Sequence, residues 1–299
     1  MSGEPHSAWD SFWRYDRISS FQSAPGAANY GPAIAEGWRT FLASLPDGAT
    51  VLDLCTGNGA IAVMAVAAGK QFTVTGTDLA DVDPTRFVSI NRAELERVCF
   101  LPRTPAEVLP FEDRSLDCIV SQYGVEYSDL ARSIPEAVRV LASGGQLRLA
   151  MHAAEGAVAR DTRTALADAD FLIDLDLAVL AARCASGPAA LAAFNAALKS
   201  IAERSPTATD QAMLANVHRT LCNSYDYRRQ DLTATAQHLD TEIRAHRDRQ
   251  SALLASAQSL DKMHRLGAHL VDLGLTGIAH DEQRDGADLI GHTIEARRD

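Results

Sequence analysis

The sequence predicts an α/β fold: a doubly wound, seven-stranded sheet, parallel except for a C-terminal antiparallel hairpin, interrupted by an inserted α-helical subdomain. Three observations predict it. Short apolar runs rich in β-branched residues alternate with helical stretches over residues 1–154. From about residue 155 the composition turns to Ala and Leu runs with almost no β-branched clusters. The chain then closes on two strand-like segments flanking Asp285 and Gly286, a hairpin turn signal.

Taken in order, strands are expected at residues 49–54, 71–78, 97–101, 115–121 and 145–151. The crossover helices announce themselves by the Ala-rich stretch after Asn58, by Pro84 near a helix start, and by the run 133–141, which Gly144 and Gly145 are expected to stop. The middle segment reads as all helix, broken only at Gly187 and Pro206. Within it Leu232, Leu239, His246, Leu253 and Leu260 fall seven apart, with Ala236, Ile243, Gln250 and Ala257 beside them. A seam holding His246 and Gln250 is imperfect, which favours a long helix packed in a hairpin over a self-standing coiled-coil dimer. A last helix over 260–273 stops at Gly274, and GIAHDEQR and DLIGHTIEAR then pair at the edge of the same sheet. The expected segments are therefore 1–154, N-terminal helices and core; 155–259, an inserted helical lid or substrate subdomain; and 260–299, the last helix and hairpin that complete the core.

A net charge of −11 and scarce lysine are unfavourable for holding a polyphosphate or a nucleic acid. Arg244, Arg247 and Arg249, on one helix, read as a solvated face. Cys55, Cys99, Cys118, Cys184 and Cys222 form no CxxC pair, so reduced thiols and a cytoplasmic location are expected, with Cys118 as plain core. No basic start followed by an apolar run opens the chain, and no long uncharged apolar run occurs, so neither an export signal nor a membrane span is expected.

The strongest passage is VLDLCTGNGAIAVMA, in which an apolar strand ends at Asp53 and breaks into a glycine turn before a helix. Gly57 and Gly59 lack Cβ, so a ligand can lie close to backbone N–H groups at a helix N-terminus of partial positive charge. A purely structural tight turn is the bland alternative. Support comes from TVTGTDLA, whose Asp78 can accept from two ribose hydroxyls or, alternatively, cap a helix; this pair alone fits NAD as well as an adenosyl ligand. SQYGVEY closes the fourth strand at the carboxyl edge where a doubly wound sheet opens its crevice, so Gln122, Tyr123 and Glu126 should face it. His152, just past the fifth strand, could take a proton there, or could simply cap or pack under the inserted helices. His246, in the seam, reads as a packing residue. Trp9, Phe12, Trp13, Tyr15, Phe21 and Tyr30 could close the other side of the crevice, and ordinary helix packing explains them equally well.

In order and spacing, VLDLCTGNGA, GTDLA, LPFEDRSLDCIVSQYGVEY and LASGGQLRLAMH resemble the successive motifs of class I S-adenosylmethionine-dependent methyltransferases of the small-molecule type. The resemblance covers residues 49–152 well and the closing hairpin more loosely; the middle helices lie outside it. It implies a Rossmann-like core with S-adenosyl-L-methionine as cofactor. Asp53, Cys55, Thr56, Gly57 and Gly59 would line the methionine part, Asp78 would bind the ribose, and Leu79 would pack on the adenine. Gln122 and Tyr123 would complete the cofactor site. Two departures stand out: Cys55 replaces the commonest first glycine, and Pro105 stands where an acidic residue often meets the adenine amino group. Glu107 is the substitute for that contact, or else a solvated loop residue.

The implied activity is methyl transfer to an O, N or C nucleophile of a small molecule, with His152 and Tyr123 as catalytic candidates and Tyr30, Glu126 and His152 against the substrate. SQYG is not the Asn or Asp followed by Pro-Pro-Tyr associated with amino methylation of DNA bases or glutamine side chains, and no pattern resembling metal-dependent catechol methylation is present, so no metal is expected. The rival readings are a cofactor-binding scaffold whose helical hairpin serves as a dimer or partner interface, and an NAD-dependent oxidoreductase, which the terminal hairpin does not favour.

Overall fold

The computed structural model describes residues 7–20, 29–227 and 231–299, and the chain divides into two compact units, Met1–Ala159 with Ser256–Asp299, and Arg160–Ala255. The first unit holds one sheet of β1 (Thr50–Leu54), β2 (Thr73–Thr77), β3 (Val98–Leu101), β4 (Leu116–Gln122), β5 (Leu141–His152), β6 (Leu275–Asp285) and β7 (Asp288–Arg298). Its order is β3-β2-β1-β4-β5-β7-β6. β1 to β5 run parallel, and β7 lies antiparallel between β5 and β6, as the sequence predicts. The chain winds outward from β1 through β2 to β3 and then returns to β4 on the other side. The carboxyl ends of β1 and β4 thus flank the switch point where such sheets open a crevice.

Alternation along each strand sends neighbouring residues to opposite faces. Val51, Val74, Cys118 and Val120 join a core with α2 (Pro32–Ser44) and α3 (Ala60–Ala67), whereas Leu52, Leu54, Ile119, Leu147 and Leu149 join a second core with α6 (Leu130–Val140) and α12 (Leu260–Asp272). Both faces are covered, which a parallel sheet requires. α1 (Ser7–Phe12) precedes this framework, and the single-turn α4 (Pro84–Phe87), opened by its proline, and α5 (Arg92–Leu95) fill the β2–β3 connection. Cys118 is fully buried.

The sheet departs from expectation at β5. The helix expected over 133–141 starts earlier, because the Asp129 side chain accepts from Ala131 N, and it ends at Val140. Leu141 is already paired with Leu116, so Gly144 and Gly145 shape an irregularity inside β5 and stop no helix.

The second unit is all helix, from α7 (Ala157–Asp174) through α8 (Leu177–Arg183), α9 (Pro188–Arg204) and α10 (Gln211–Tyr227) to α11 (Leu232–Ser256). Leu172, Phe194, Ile201, Leu214 and Leu221 form its core with Leu232, Ala236, Leu239 and Ile243 of α11. The seam is therefore real only in its first half, and it is consumed inside its own unit. Beyond Ile243, His246 lies 3.3 Å from Gln250 and 3.5 Å from Asp210, α11 ends at Ser256, and Leu260 is exposed on the next helix. Arg244 pairs with Asp240 and Arg247 with Asp170. Among the described residues no helix is long and apolar enough to cross a membrane.

Asp168 holds this unit's α9–α10 corner: 2% exposed, it accepts from Thr209 N (2.9 Å), Asp210 N (3.2 Å) and Arg204 Nε (3.0 Å). Asp168→Ala leaves those donors without their acceptor and should lower stability by roughly 2–4 kcal/mol. Chemical denaturation should show the loss, and hydrogen exchange should place it in α9 and α10.

Candidate functional site

β1 delivers Asp53 to the carboxyl edge, and its carboxylate organises the turn that follows. Oδ2 accepts from Thr56 Oγ1 at 2.7 Å and from Ala62 N at 3.1 Å, which satisfies one of the open N–H groups at the start of α3. Thr56 N donates to Thr77 O of β2 at 2.9 Å, so the turn is tied to the neighbouring strand end. Asp78 completes the tie: its Oδ2 accepts from Gly57 N (2.7 Å) and its Oδ1 from Ala80 N (2.8 Å). No helix starts at Asp78, which disposes of the capping alternative.

Burial, the largest cause, pushes Asp53 up to about 7, with the nearby Asp78 adding to it. Burial likewise pushes Asp78 up to about 6, against the lowering effect of its backbone hydrogen bonds. Two carboxylates with raised proton affinity thus stand at adjacent strand ends.

The glycine turn carries its own constraints. Gly57 has φ +53°, and a Cβ there would lie 2.4 Å from the Trp13 ring. Cys55, standing where the resembled family has a glycine, adopts φ +58°, a backbone region that non-glycine residues seldom occupy. Its side chain is accommodated because residue 124 is glycine: a Cβ on Gly124 would sit 2.6 Å from that of Cys55. Burial pushes the Cys55 thiol well up, so it is not a thiolate.

Trp13, Tyr30, Asp53, Cys55, Gln122 and Tyr123 are among the residues around a cavity of about 20 Å³, room for a water molecule. Thr56 also lines it, whereas Gly57, Gly59 and Asp78 lie on the adjoining turn and strand end. Gln122 and Tyr123 are more tied than the sequence suggested. The Gln122 amide accepts from Trp38 Nε1 and donates to Gln283 Oε1 at 2.8 Å, and Tyr123 Oη donates to that same Gln283 oxygen. Tyr30 meets Tyr123 edge-on at 5.9 Å and bonds Ser20 at 3.0 Å.

His152 and Glu126 come together behind Tyr123. Glu126, in the 3-10 turn Val125–Tyr127, accepts with one oxygen both the His152 backbone N–H (3.0 Å) and a bond with His152 Nδ1 (2.8 Å). The Tyr123 ring stacks on the imidazole at 4.2 Å. Leu79 is 39% exposed, and Glu107 Oε1 accepts from Asp129 N at 2.8 Å, so neither joins the cluster around the cavity.

The N-terminal segment packs on this turn. Trp9 stacks on Trp13 and meets Tyr127 edge-on, Trp13 clusters with Ala80 and Val82, and Asp10 accepts from Asp81 N and Arg103. Tyr15 is half exposed, and Phe21 lies outside the described residues. Sequence reasoning missed Asn58, the residue between the two glycines, whose buried Nδ2 donates to Trp13 O (3.0 Å) and Arg17 O (2.7 Å). It also missed Gln283, which comes from the far hairpin and carries no local signal. No cluster of three metal-ligating side chains exists among the described residues.

Residues 51–145 match the family model of the methyltransferase domain. Over that stretch the chain is similar to a methyltransferase domain. An uncharacterized methyltransferase of Mycobacterium tuberculosis is 36% identical over 142 residues, 46% of this chain and 53% of the relative. A demethylmenaquinone methyltransferase of Thermus thermophilus is 34% identical over 100 residues, 32% of this chain and 44% of the relative. The chain thus spans about half the length of the curated relatives it matches. A candidate S-adenosylmethionine-dependent methyltransferase of Methanococcus maripaludis superposes over 89% of this chain and 84% of its own, at 15% identity and a TM-score of 0.44.

Two measurements check this geometry. Asn58→Ala removes both bonds to the N-terminal segment, so stability should fall by roughly 1–3 kcal/mol. Tryptophan emission should shift to the red and cleavage within residues 7–20 should quicken. Because folding raises the proton affinity of Asp53 and Asp78, their stabilising contribution is full below the ordinary carboxylate range and is lost as pH rises through about 6 and 7. Melting curves between pH 4 and 8 should therefore favour Asp53→Asn over the wild type increasingly as pH rises.

Proposed function

We propose that the protein is an S-adenosylmethionine-dependent methyltransferase acting on an O, N or C nucleophile of a small molecule. The observation that carries this is the pair of carboxylates, Asp53 and Asp78, at the ends of adjacent strands beside the glycine turn. Burial first, and then the charge of Asp78 on Asp53 and of Asp10 on Asp78, make negative charge costly there, which favours a cationic ligand and disfavours the pyrophosphate of a dinucleotide. The residues fit an adenosyl ligand carrying an ammonium group. Asp53, Cys55, Thr56, Gly57 and Gly59 would hold its amino-acid end, Asp78 the ribose and Leu79 the adenine, with Gln122 and Tyr123 as walls; Glu107 would approach the adenine edge.

When bound, the cofactor supplies a methyl group activated by a sulfonium. The protein's task is then to align the acceptor and to keep water out, and the aromatic walls Trp13, Tyr30 and Tyr123 suit the second requirement. His152 would take the acceptor's proton, with Tyr123 flat against it, and Tyr30 would meet the acceptor; Glu126, expected from the sequence to face the acceptor, is instead buried against His152. The small-molecule reading is supported by the relative named for demethylmenaquinone. Within the first unit the His152 carbonyl accepts from Gln258 N, which fixes the end of β5.

Calorimetric titration tests the proposal. S-adenosylmethionine and S-adenosylhomocysteine should bind at pH 7 with NAD inert, and Asp78→Ala should weaken binding at least about tenfold, or roughly 1.4 kcal/mol. Paired buffers of different ionisation enthalpy should reveal proton release as the ligand's ammonium draws the proton from Asp53. NAD binding alone would overturn the reading. Tight donor binding without turnover over a broad acceptor panel would favour the scaffold alternative.

A further inference from the structure

Glu126 is placed as few carboxylates are. It is 4% exposed, its Oε1 is taken by two groups of one residue, and its Oε2 is buried with no hydrogen-bond partner among the described residues. A buried carboxylate oxygen left unpartnered is costly, and the fold could have avoided it with an amide or an apolar side chain. The partner it serves is equally confined. His152 is 3% exposed, Tyr123 stacks on one face of its ring, and Tyr127 meets it edge-on at 6.3 Å. Tyr127 is in turn bonded to Ser256. The ring cannot turn over without breaking this packing, and no described residue bonds its Nε2.

We propose that Glu126 is a positioning residue that holds His152 as the Nδ1–H tautomer, leaving Nε2 as the proton acceptor of the methyl-transfer site. The proposal rests on the reading of His152 given above. A carboxylate oxygen has no hydrogen to give, and Oε1 already accepts the His152 backbone N–H, so in the carboxylate form the ring nitrogen facing it carries the hydrogen. Nε2 then presents its lone pair. During transfer the acceptor's lone pair forms the bond to the methyl carbon as the carbon–sulfur bond breaks with its electrons going to sulfur. The acceptor's proton passes to Nε2, and the resulting imidazolium is matched by the Glu126 charge. The ionisable groups facing His152 are Glu126 and Tyr127 from the 3-10 turn and Tyr123 from the end of β4. Tyr30, from the segment before α2, faces Tyr123.

Long-range proton–nitrogen NMR on the full-length protein tests this without an acceptor. Wild-type His152, assigned by its loss in His152→Asn, should show a protonated Nδ1 and a bare Nε2 at neutral pH. Glu126→Gln should keep that pattern, since its amide oxygen can accept both N–H groups. Glu126→Ala should lose it, with the Nε2–H form gaining most of the population. A wild-type ring already protonated on Nε2, or an unchanged pattern in Glu126→Ala, overturns the proposal. Titration of the same samples with S-adenosylhomocysteine separates the two questions: intact binding with the wrong tautomer sinks only the role of Glu126, whereas absent binding sinks the methyltransferase reading.

Discussion

The Asp78 carboxylate ties the turn after β1 to the turn after β2 through the N–H groups of Gly57 and Ala80, and the rest of the crevice depends on that tie. Asp53 performs the matching task inside the first turn, through Thr56 and the start of α3. Neither acid has a cation as its hydrogen-bond partner in these bonds; both are held by uncharged donors. Buried carboxylates so arranged keep their protons to unusually high pH, and they create a local demand for positive charge that the overall charge of −11 does nothing to relieve.

Around this centre, substitutions that look like departures compensate one another. Cys55 takes a left-handed backbone conformation that a glycine would hold more easily, and Gly124 provides the room for its side chain. Asn58 sits where a small spacer would suffice, and it uses the position to hold the carbonyls of Trp13 and Arg17. The aromatic N-terminal segment is therefore packed on the glycine turn by a residue of the turn itself.

The sheet was legible in the sequence because the central strands β1, β4 and β5 send alternate residues to two cores and helical stretches separate the parallel strands; even the hairpin turn at Asp285 and Gly286 was local chemistry. The β5 irregularity was not legible, because two glycines after a helical run signal a stop as readily as a bulge, and only the pairing of Leu141 with Leu116 decides between them. The seam misled beyond Ile243 because periodicity persists in sequence where His246, Gln250 and Leu253 are only half-buried and Leu260 is exposed. In the site, Asp53 and Asp78 were visible from strand ends. The Glu126–His152 contact joins residues 26 positions apart, and Gln283 reaches Gln122 across 161 positions. No local pattern encodes either, so their meeting required the folded sheet.

The central claim is that the carboxyl ends of β1, β2 and β4 form an adenosyl site built on Asp53 and Asp78. A crystal structure of the protein with S-adenosylhomocysteine tests it most directly. The account predicts the ribose hydroxyls within hydrogen-bond reach of Asp78, the amino-acid end against the Gly57–Gly59 turn with its ammonium toward Asp53, and the sulfur on the side of Tyr123 and His152. Ordered ligand elsewhere on the chain, or a ribose with no contact to Asp78, would contradict it.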